Sequence, residues 1–159
     1  MVKNNQSGNE RQSNAVPGSY AGDITPQQAW ERLGAEPASV LVDVRTRVEW
    51  MFVGVPDFSG LAKEPLFIEW QSLPSMAVNA DFVDDFTKSM SQIGADNTAP
   101  VFFLCRSGGR SLSAARACTA AGFNACYNIV GGFEGDLDAQ SHRGTVSGWK
   151  HEGLAWIQK

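Results

Sequence analysis

The sequence has 159 residues, of which 43% are hydrophobic and 19% are charged, and its formal net charge is −4. These values are typical of one globular domain and exclude a largely disordered chain. The acidic balance argues against nucleic acid as a partner, no apolar run is long enough to span a bilayer, and the three cysteines form neither a disulfide framework nor a zinc pattern.

Residues 1–19 are polar and rich in Asn, Gln, Ser and Gly, which predicts a disordered tail before a folded domain over residues 20–159. The tail lacks the apolar centre of a signal peptide. A sparse, odd number of cysteines suits a reducing compartment. We therefore expect a cytoplasmic protein.

The first predicted helix lies in ITPQQAWERLG. Thr25 is expected as its N-cap, Pro26 as its first residue, Gln28 as the second member of a capping box, and Gly34 as its end. Further helices are predicted in NADFVDDFTKSMSQIG, with Asn79 as N-cap, in SLSAARACTAAG, and as a short terminal helix in GWKHEGLAWIQK.

Short apolar runs predict strands at SVLVDV (39–44), PLFIEW (65–70), VFFL (101–104) and NACYNIV (124–130). Because strands and helices alternate, we predict an α/β fold, a single three-layer domain with a mainly parallel central sheet flanked by helices. Ligands of such sheets bind beyond the carboxyl ends of the strands. Cys105 follows VFFL directly and therefore marks the candidate site.

The residues after Cys105 form an unusual turn before a helix: Arg106, Gly108, Gly109 and Arg110. The first amides of a helix lack intrahelical partners, and glycine allows the backbone to curl tightly. Converging N–H groups then form an anion-binding nest. With two arginines beside it, this nest favours the thiolate of Cys105, the nucleophilic form of cysteine.

The other chemically active side chains have plainer interpretations. Ser107 and Ser111 add hydroxyl donors near the cysteine, and Ser111 is also a candidate helix cap. Cys118 and Cys126 are expected in the core. A Cys–His hydrolase would need a histidine beside Cys105, and His142 in the segment 134–147 is the candidate for it.

Four segments together resemble the rhodanese (thiosulfate sulfurtransferase) family. CRSGGRS (105–111) resembles its active-site loop, and VLVDVR (40–45) resembles its early strand. YNIVGGF (127–133) resembles the strand and double glycine after the catalytic helix, and GWKHEGLAW (148–156) resembles the terminal motif. The resemblance extends over almost the whole predicted domain and implies the rhodanese-like fold.

The resemblance also implies a mechanism without a cofactor. Cys105 takes sulfur from a small anionic donor such as thiosulfate, holds it as a persulfide, and passes it to a small thiol or to a protein thiophile. The implied catalytic residues are Cys105 and Arg110. The residues implied to bind the donor or to support the loop are Arg106, Ser107, Gly108, Gly109, Ser111, Asp43 and Arg45. Glu49 is a candidate ion-pair partner of Arg45.

Two alternatives use the same fold: a cysteine-dependent phosphatase or arsenate-reductase-like enzyme, and a non-enzymatic sulfur carrier or binding module. Four residues separate Cys105 from Arg110, whereas cysteine phosphatases of similar fold have five, so the loop favours sulfur transfer. Residues 49–60 depart from the family pattern, with Val55 in place of a histidine. Residues 134–147 are an insertion that either folds over the site or forms a surface loop.

Overall fold

The computed structural model describes residues 16–159. Most of the predicted tail therefore lies outside the described residues. Its last residues form a turn, in which the Ser19 N–H donates to the Val16 carbonyl at 2.9 Å. Within the described part of the chain, no helix combines the length and the apolar character that crossing a membrane requires.

The described residues contain nine strands and four helices. The strands are β1 (Gly22–Ile24), β2 (Val40–Asp43), β3 (Val55–Pro56), β4 (Leu66–Phe67), β5 (Gln71–Ser72), β6 (Ala77–Val78), β7 (Val101–Leu104), β8 (Cys126–Ile129) and β9 (Trp156–Ile157). The helices are α1 (Pro26–Ala35), α2 (Arg47–Phe52), α3 (Phe82–Gln92) and α4 (Gly109–Ala120).

Five strands form one central sheet in the order β1-β8-β7-β2-β4, and every neighbouring pair is parallel. Two small antiparallel pairs, β3 with β9 and β5 with β6, lie outside this sheet. The predicted mainly parallel sheet is thus confirmed.

Alternate residues of the central strands face two separate apolar cores. Val101 and Phe103 pack with α3 and α4 on one face of the sheet. Phe102 and Leu104 pack with α1 and with Trp149 on the other. Because β7 is buried on both faces, its sequence is continuously apolar rather than alternating. These two cores establish the predicted three layers, with helices on both sides of the sheet.

The capping box of α1 is confirmed. The Thr25 hydroxyl accepts from the Gln28 N–H at 3.1 Å, and the Gln28 side chain accepts from the Thr25 N–H at 3.0 Å. The helix continues to Ala35, so Gly34 does not end it. The predicted start of α3 is wrong as well, because Asn79 accepts from the Asp81 N–H at 3.0 Å and closes a turn before the helix.

The predicted terminal helix is wrong. Residues 149–153 form turns, and β9 pairs with β3 through the partners Trp156 with Pro56 and Ile157 with Val55. This pairing satisfies backbone groups that a helix of so few residues would leave open at its ends. Strand β1 was not predicted, since only one of its three residues is buried and no apolar period marks it.

Candidate active site at Cys105

Cys105 lies where the carboxyl ends of β2 and β7 meet. These two strands are neighbours in the sheet. After β2 the chain adds β4 on one side of the pair, and after β7 it adds β8 on the other side. Ligands of open parallel sheets bind at such a change of direction. The sequence had placed the candidate site at this edge, and the structure brings Cys105 there together with Asp43 and Arg45 at the end of β2.

The sulfur of Cys105 is buried and held by two groups of the following turn. Its Sγ accepts from the Gly108 N–H at 3.1 Å and lies 3.1 Å from the Ser111 hydroxyl. Gly108 has a φ of 118° and precedes the first residue of α4, so the helix dipole also favours negative charge at this point. Of the amides predicted to converge on the sulfur, the Gly108 N–H therefore reaches it in this structure.

Ser111 is buried inside α4 and does not cap it, contrary to expectation. Its hydroxyl donates to Asn128 Oδ1 at 2.6 Å, while its oxygen faces Cys105 Sγ. Asn128 belongs to β8 and is itself buried. The sequence analysis missed this residue. A polar side chain within an apolar strand is a recognisable signal, because buried polar groups need hydrogen-bond partners.

The segment over residues 132–134 packs against the outer side of the Cys105 loop and hydrogen-bonds it. Gly132 lies so close that an added Cβ would be 2.4 Å from the Cys105 carbonyl oxygen. The next residues, Phe133 and Glu134, donate their N–H groups to the carbonyls of Cys105 and Arg106 at 2.8 and 3.0 Å. These bonds hold the carbonyl groups of Cys105 and Arg106 on the outer side of the loop. The Gly108 N–H faces the sulfur.

Asp43 and Arg45 form a fully buried ion pair with a shortest N–O distance of 2.6 Å. This burial excludes a plain surface pair. Arg45 also donates to the Gly54 carbonyl at 2.8 Å, and its guanidinium lies 4.1 Å from the centroid of the Phe133 ring. Since the Phe133 backbone binds the Cys105 carbonyl, the pair is connected to the loop through one intervening residue.

Glu49 pairs with Arg110 rather than with Arg45. Both carboxylate oxygens of Glu49 accept from the Arg110 guanidinium at 2.8 Å. Burial alone would raise the pKa of Glu49, but hydrogen bonds from Arg110 and from the Thr46 N–H outweigh it and lower the pKa to about 2. The hydrogen bonds to Glu49 in turn raise the pKa of Arg110. The pair is therefore ionised throughout the physiological pH range.

A cavity of about 630 Å³ opens above the sulfur. From the predicted site, Cys105, Arg106, Ser107, Gly109 and Arg110 line it. Residues that the sequence analysis did not assign to the site also line it, namely Thr46, Val48, Glu49, Val53, Gln71, Leu73, Met76, Glu134 and Arg143. Most of these come from distant segments, so only the folded chain reveals them.

The two segments that depart from the family pattern both reach this cavity. Val53 lines it where α2 ends, whereas Val55 pairs with β9. Glu134 and Arg143 line it from the insertion over residues 134–147. The insertion is therefore one wall of the site and not a remote surface loop.

The remaining cysteines and histidines do not reach the sulfur. Cys118 and Cys126 are fully buried, and burial raises the pKa of each thiol, to about 11 for Cys126. Their predicted place in the core is confirmed. His142 is exposed, and among the described residues that line the cavity there is no histidine. The geometry thus gives no support to a Cys–His hydrolase.

Comparison with known proteins places the chain in a family. Residues 21–159 match the model of the STR4 middle domain. The chain is 40% identical to an uncharacterized protein of Rickettsia rickettsii over 134 residues, which cover 84% of this chain and 95% of that protein. It is 33% identical to the thiosulfate sulfurtransferase GlpE of Glaesserella parasuis over 113 residues, covering 71% of this chain and 83% of that protein.

The chain belongs to the rhodanese-like superfamily, in the STR4 middle domain family. A crystal structure of Rv0390 from M. tuberculosis has the same fold as this rhodanese-like protein, with a TM-score of 0.79 and 48% identity over 89% of this chain and all of that one. The resemblance of the four sequence motifs is confirmed at the level of the superfamily, whose members include sulfurtransferases.

Proposed function

We propose that this rhodanese-like protein is a sulfurtransferase that carries sulfane sulfur as a persulfide of Cys105. The observation that carries the proposal is the contact set of Cys105 Sγ, with the Gly108 N–H at 3.1 Å and the Ser111 hydroxyl at 3.1 Å at the start of α4. A thiolate is a strong nucleophile, and an N–H donor in a buried site, here that of Gly108, stabilises the anionic sulfur.

In the first step the Cys105 thiolate attacks the outer sulfur of a small anionic donor such as thiosulfate. The new Sγ–S bond forms while the bond between the two donor sulfurs breaks, and its electron pair leaves with sulfite. Arg106, which is exposed and lines the cavity, attracts the anionic donor. Arg110 lines the same cavity, and one N–H of each terminal nitrogen donates to Glu49, so the arginine fixes the loop as well as adding positive charge.

In the second step an acceptor takes the outer sulfur. For a small thiol or a protein thiol, the acceptor sulfur bonds to the outer sulfur of the persulfide, the Sγ–S bond breaks, and its electron pair stays on Cys105. The proton of the acceptor thiol passes to the transferred sulfur. No cofactor enters either step, because the sulfur changes partners without a net gain or loss of electrons.

The phosphatase alternative fits the loop less well. Four residues separate Cys105 from Arg110, and Glu49 already occupies the guanidinium that would clamp a phosphate. A non-enzymatic sulfur carrier would form the same Cys105 persulfide and would differ only in not transferring the sulfur catalytically.

Steady-state kinetics with thiosulfate and cyanide test the proposal. We expect thiocyanate formation with parallel double-reciprocal lines, the pattern of a covalent intermediate that forms before the acceptor binds. Cys105→Ser should abolish turnover, while Cys118→Ala, at a buried thiol outside the cavity, should retain it. Hydrolysis of an aryl phosphate without thiocyanate formation would overturn the proposal. Sulfur uptake without turnover would favour the carrier.

A further inference from the structure

The cavity above Cys105 is much larger than the small ions of the proposed reaction. A water molecule occupies about 30 Å³ of liquid, so cyanide or thiosulfate would fill a small part of about 630 Å³. Pockets of roughly 300–1,000 Å³ usually enclose larger organic ligands. The remaining volume has room for a ligand that extends away from the sulfur.

One wall of this outer cavity is apolar. Val48, Leu73 and Met76 line it, and they are 43%, 49% and 37% exposed. Leu73 and Met76 lie in the connection between β5 and β6, where Met76 has a φ of 56°. A bulky residue rarely adopts this conformation, and such outliers concentrate at ligand-contacting segments. The wall suits the hydrocarbon part of a ligand.

The insertion over residues 134–147 contributes a fixed arginine to the cavity. Arg143 lines the cavity, and its guanidinium donates to the Gly135 carbonyl at 2.7 Å. The Asp138 carboxylate folds the loop around it by accepting from the Gln140 and His142 N–H groups at 2.9 Å. Because the loop is held by its own hydrogen bonds, Arg143 presents a positioned cation to the cavity.

The balance of charge in the cavity favours an anionic group. Three arginines and two glutamates line it, and Glu49 is neutralised by Arg110. Glu134 is the second glutamate, so the lining carries three positive and two negative charges. Arg106 and Arg143 remain as the cations available to a ligand, one near the sulfur and one in the insertion loop.

We infer that the outer cavity is an acceptor subsite for a low-molecular-weight thiol with a hydrocarbon segment and a carboxylate. The hydrocarbon segment packs on Val48, Leu73 and Met76, and the carboxylate pairs with Arg143. The thiol sulfur then reaches the outer sulfur of the Cys105 persulfide. This inference rests on the proposed function, and it adds the chemical class of the acceptor and the residue that selects it.

Matched acceptors test the subsite. The probes are 6-mercaptohexanoate, which has both features, 6-mercaptohexanol, which lacks the charge, and cyanide, which lacks both. With persulfide-loaded protein, we expect 6-mercaptohexanoate to exceed 6-mercaptohexanol in kcat/KM about tenfold, the usual effect of a charge-assisted hydrogen bond. Arg143→Gln should remove that ratio, and Leu73→Ser should weaken both thiols relative to cyanide.

Arg116→Gln is the control, because Arg116 belongs to α4 and lies over the Tyr20 ring, outside the cavity. It should preserve all three rates. Equal kcat/KM for the two thiols in the unaltered protein, or a ratio that survives Arg143→Gln, would overturn the inference.

A binding measurement separates this inference from the proposed function. Hexanoate has the hydrocarbon segment and the carboxylate but no thiol, so it should slow alkylation of Cys105 by iodoacetamide without any sulfur transfer. Arg143→Gln should remove this protection. Protection without thiocyanate formation would uphold the subsite and refute sulfur transfer, whereas thiocyanate formation without protection would refute the subsite alone.

Discussion

Replacing Gly132 with alanine is the sharpest perturbation of the Cys105 loop that leaves every site side chain in place. An added Cβ would lie 2.4 Å from the Cys105 carbonyl oxygen and 2.6 Å from the Arg106 carbonyl carbon. Both are backbone atoms, so no side-chain rotation relieves the contact. Since ordinary contacts begin at 3.4 Å, the loop must shift by about 1 Å, a displacement that typically costs about 100-fold in rate.

Two costs add up in Gly132→Ala. The residue has a φ of 60°, and a side chain in this left-handed region costs about 1–2 kcal/mol. Steric overpacking against a fixed backbone adds about 1–3 kcal/mol. We therefore expect the free energy of unfolding to fall by about 2–5 kcal/mol, measured by urea denaturation, together with the loss of rate.

Gly144→Ala is the matched control. Gly144 has a φ of 87°, but an added Cβ there meets no atom within 4 Å. Gly144→Ala should lose only the part of the free energy of unfolding that a side chain costs in the left-handed backbone region. It should keep its rate of thiocyanate formation. If Gly132→Ala and Gly144→Ala lost the same stability and the same activity, the close contact with the Cys105 loop would not be what requires glycine at residue 132.

Two ion pairs give further predictions. Because the pKa of Glu49 falls from 4.5 to about 2 on folding, its pairing with Arg110 stabilises the fold above pH 4.5, and this contribution is lost as the pH falls through 2. Glu49→Gln should lower the free energy of unfolding by about 2–3 kcal/mol at pH 7 and by much less near pH 2; equal losses at both would contradict the assigned ionisation. Arg45→Met should cost about 3–5 kcal/mol because it leaves the buried Asp43 carboxylate unpaired, and adding Asp43→Leu should recover part of this loss. A double variant no more stable in urea than the single one would contradict the reasoning.

The sequence was enough to predict the central architecture, because the relevant information is local. Short apolar runs mark β2 and β7, and the capping box at Thr25 marks the start of α1. The loop from Cys105 to Ser111 is contiguous, so its composition alone pointed to an anion cradle. The short strands β3 and β9 were not predictable in this way, since each has two residues and exists only through its partner.

The site was predictable where one segment supplies it and not where several segments meet. Glu49 is 61 residues from Arg110, and the nearer Arg45 looked like its partner until burial placed Arg45 beside Asp43. Asn128 in strand β8 hydrogen-bonds Ser111 in helix α4, 17 residues away along the chain. Arg143 depends on the course of an irregular loop, for which no periodicity exists. Long-range ion pairs and the paths of irregular loops are properties of the tertiary fold, so no local sequence pattern predicts them.

Intact-mass spectrometry after treatment with thiosulfate tests the central claim most directly. The protein should gain the mass of one sulfur atom, peptide mapping should place it on Cys105, and cyanide should remove it with release of thiocyanate. Cys105→Ser should show no gain. An unchanged mass, or a sulfur atom carried by Cys118 or Cys126 instead, would contradict a Cys105 persulfide.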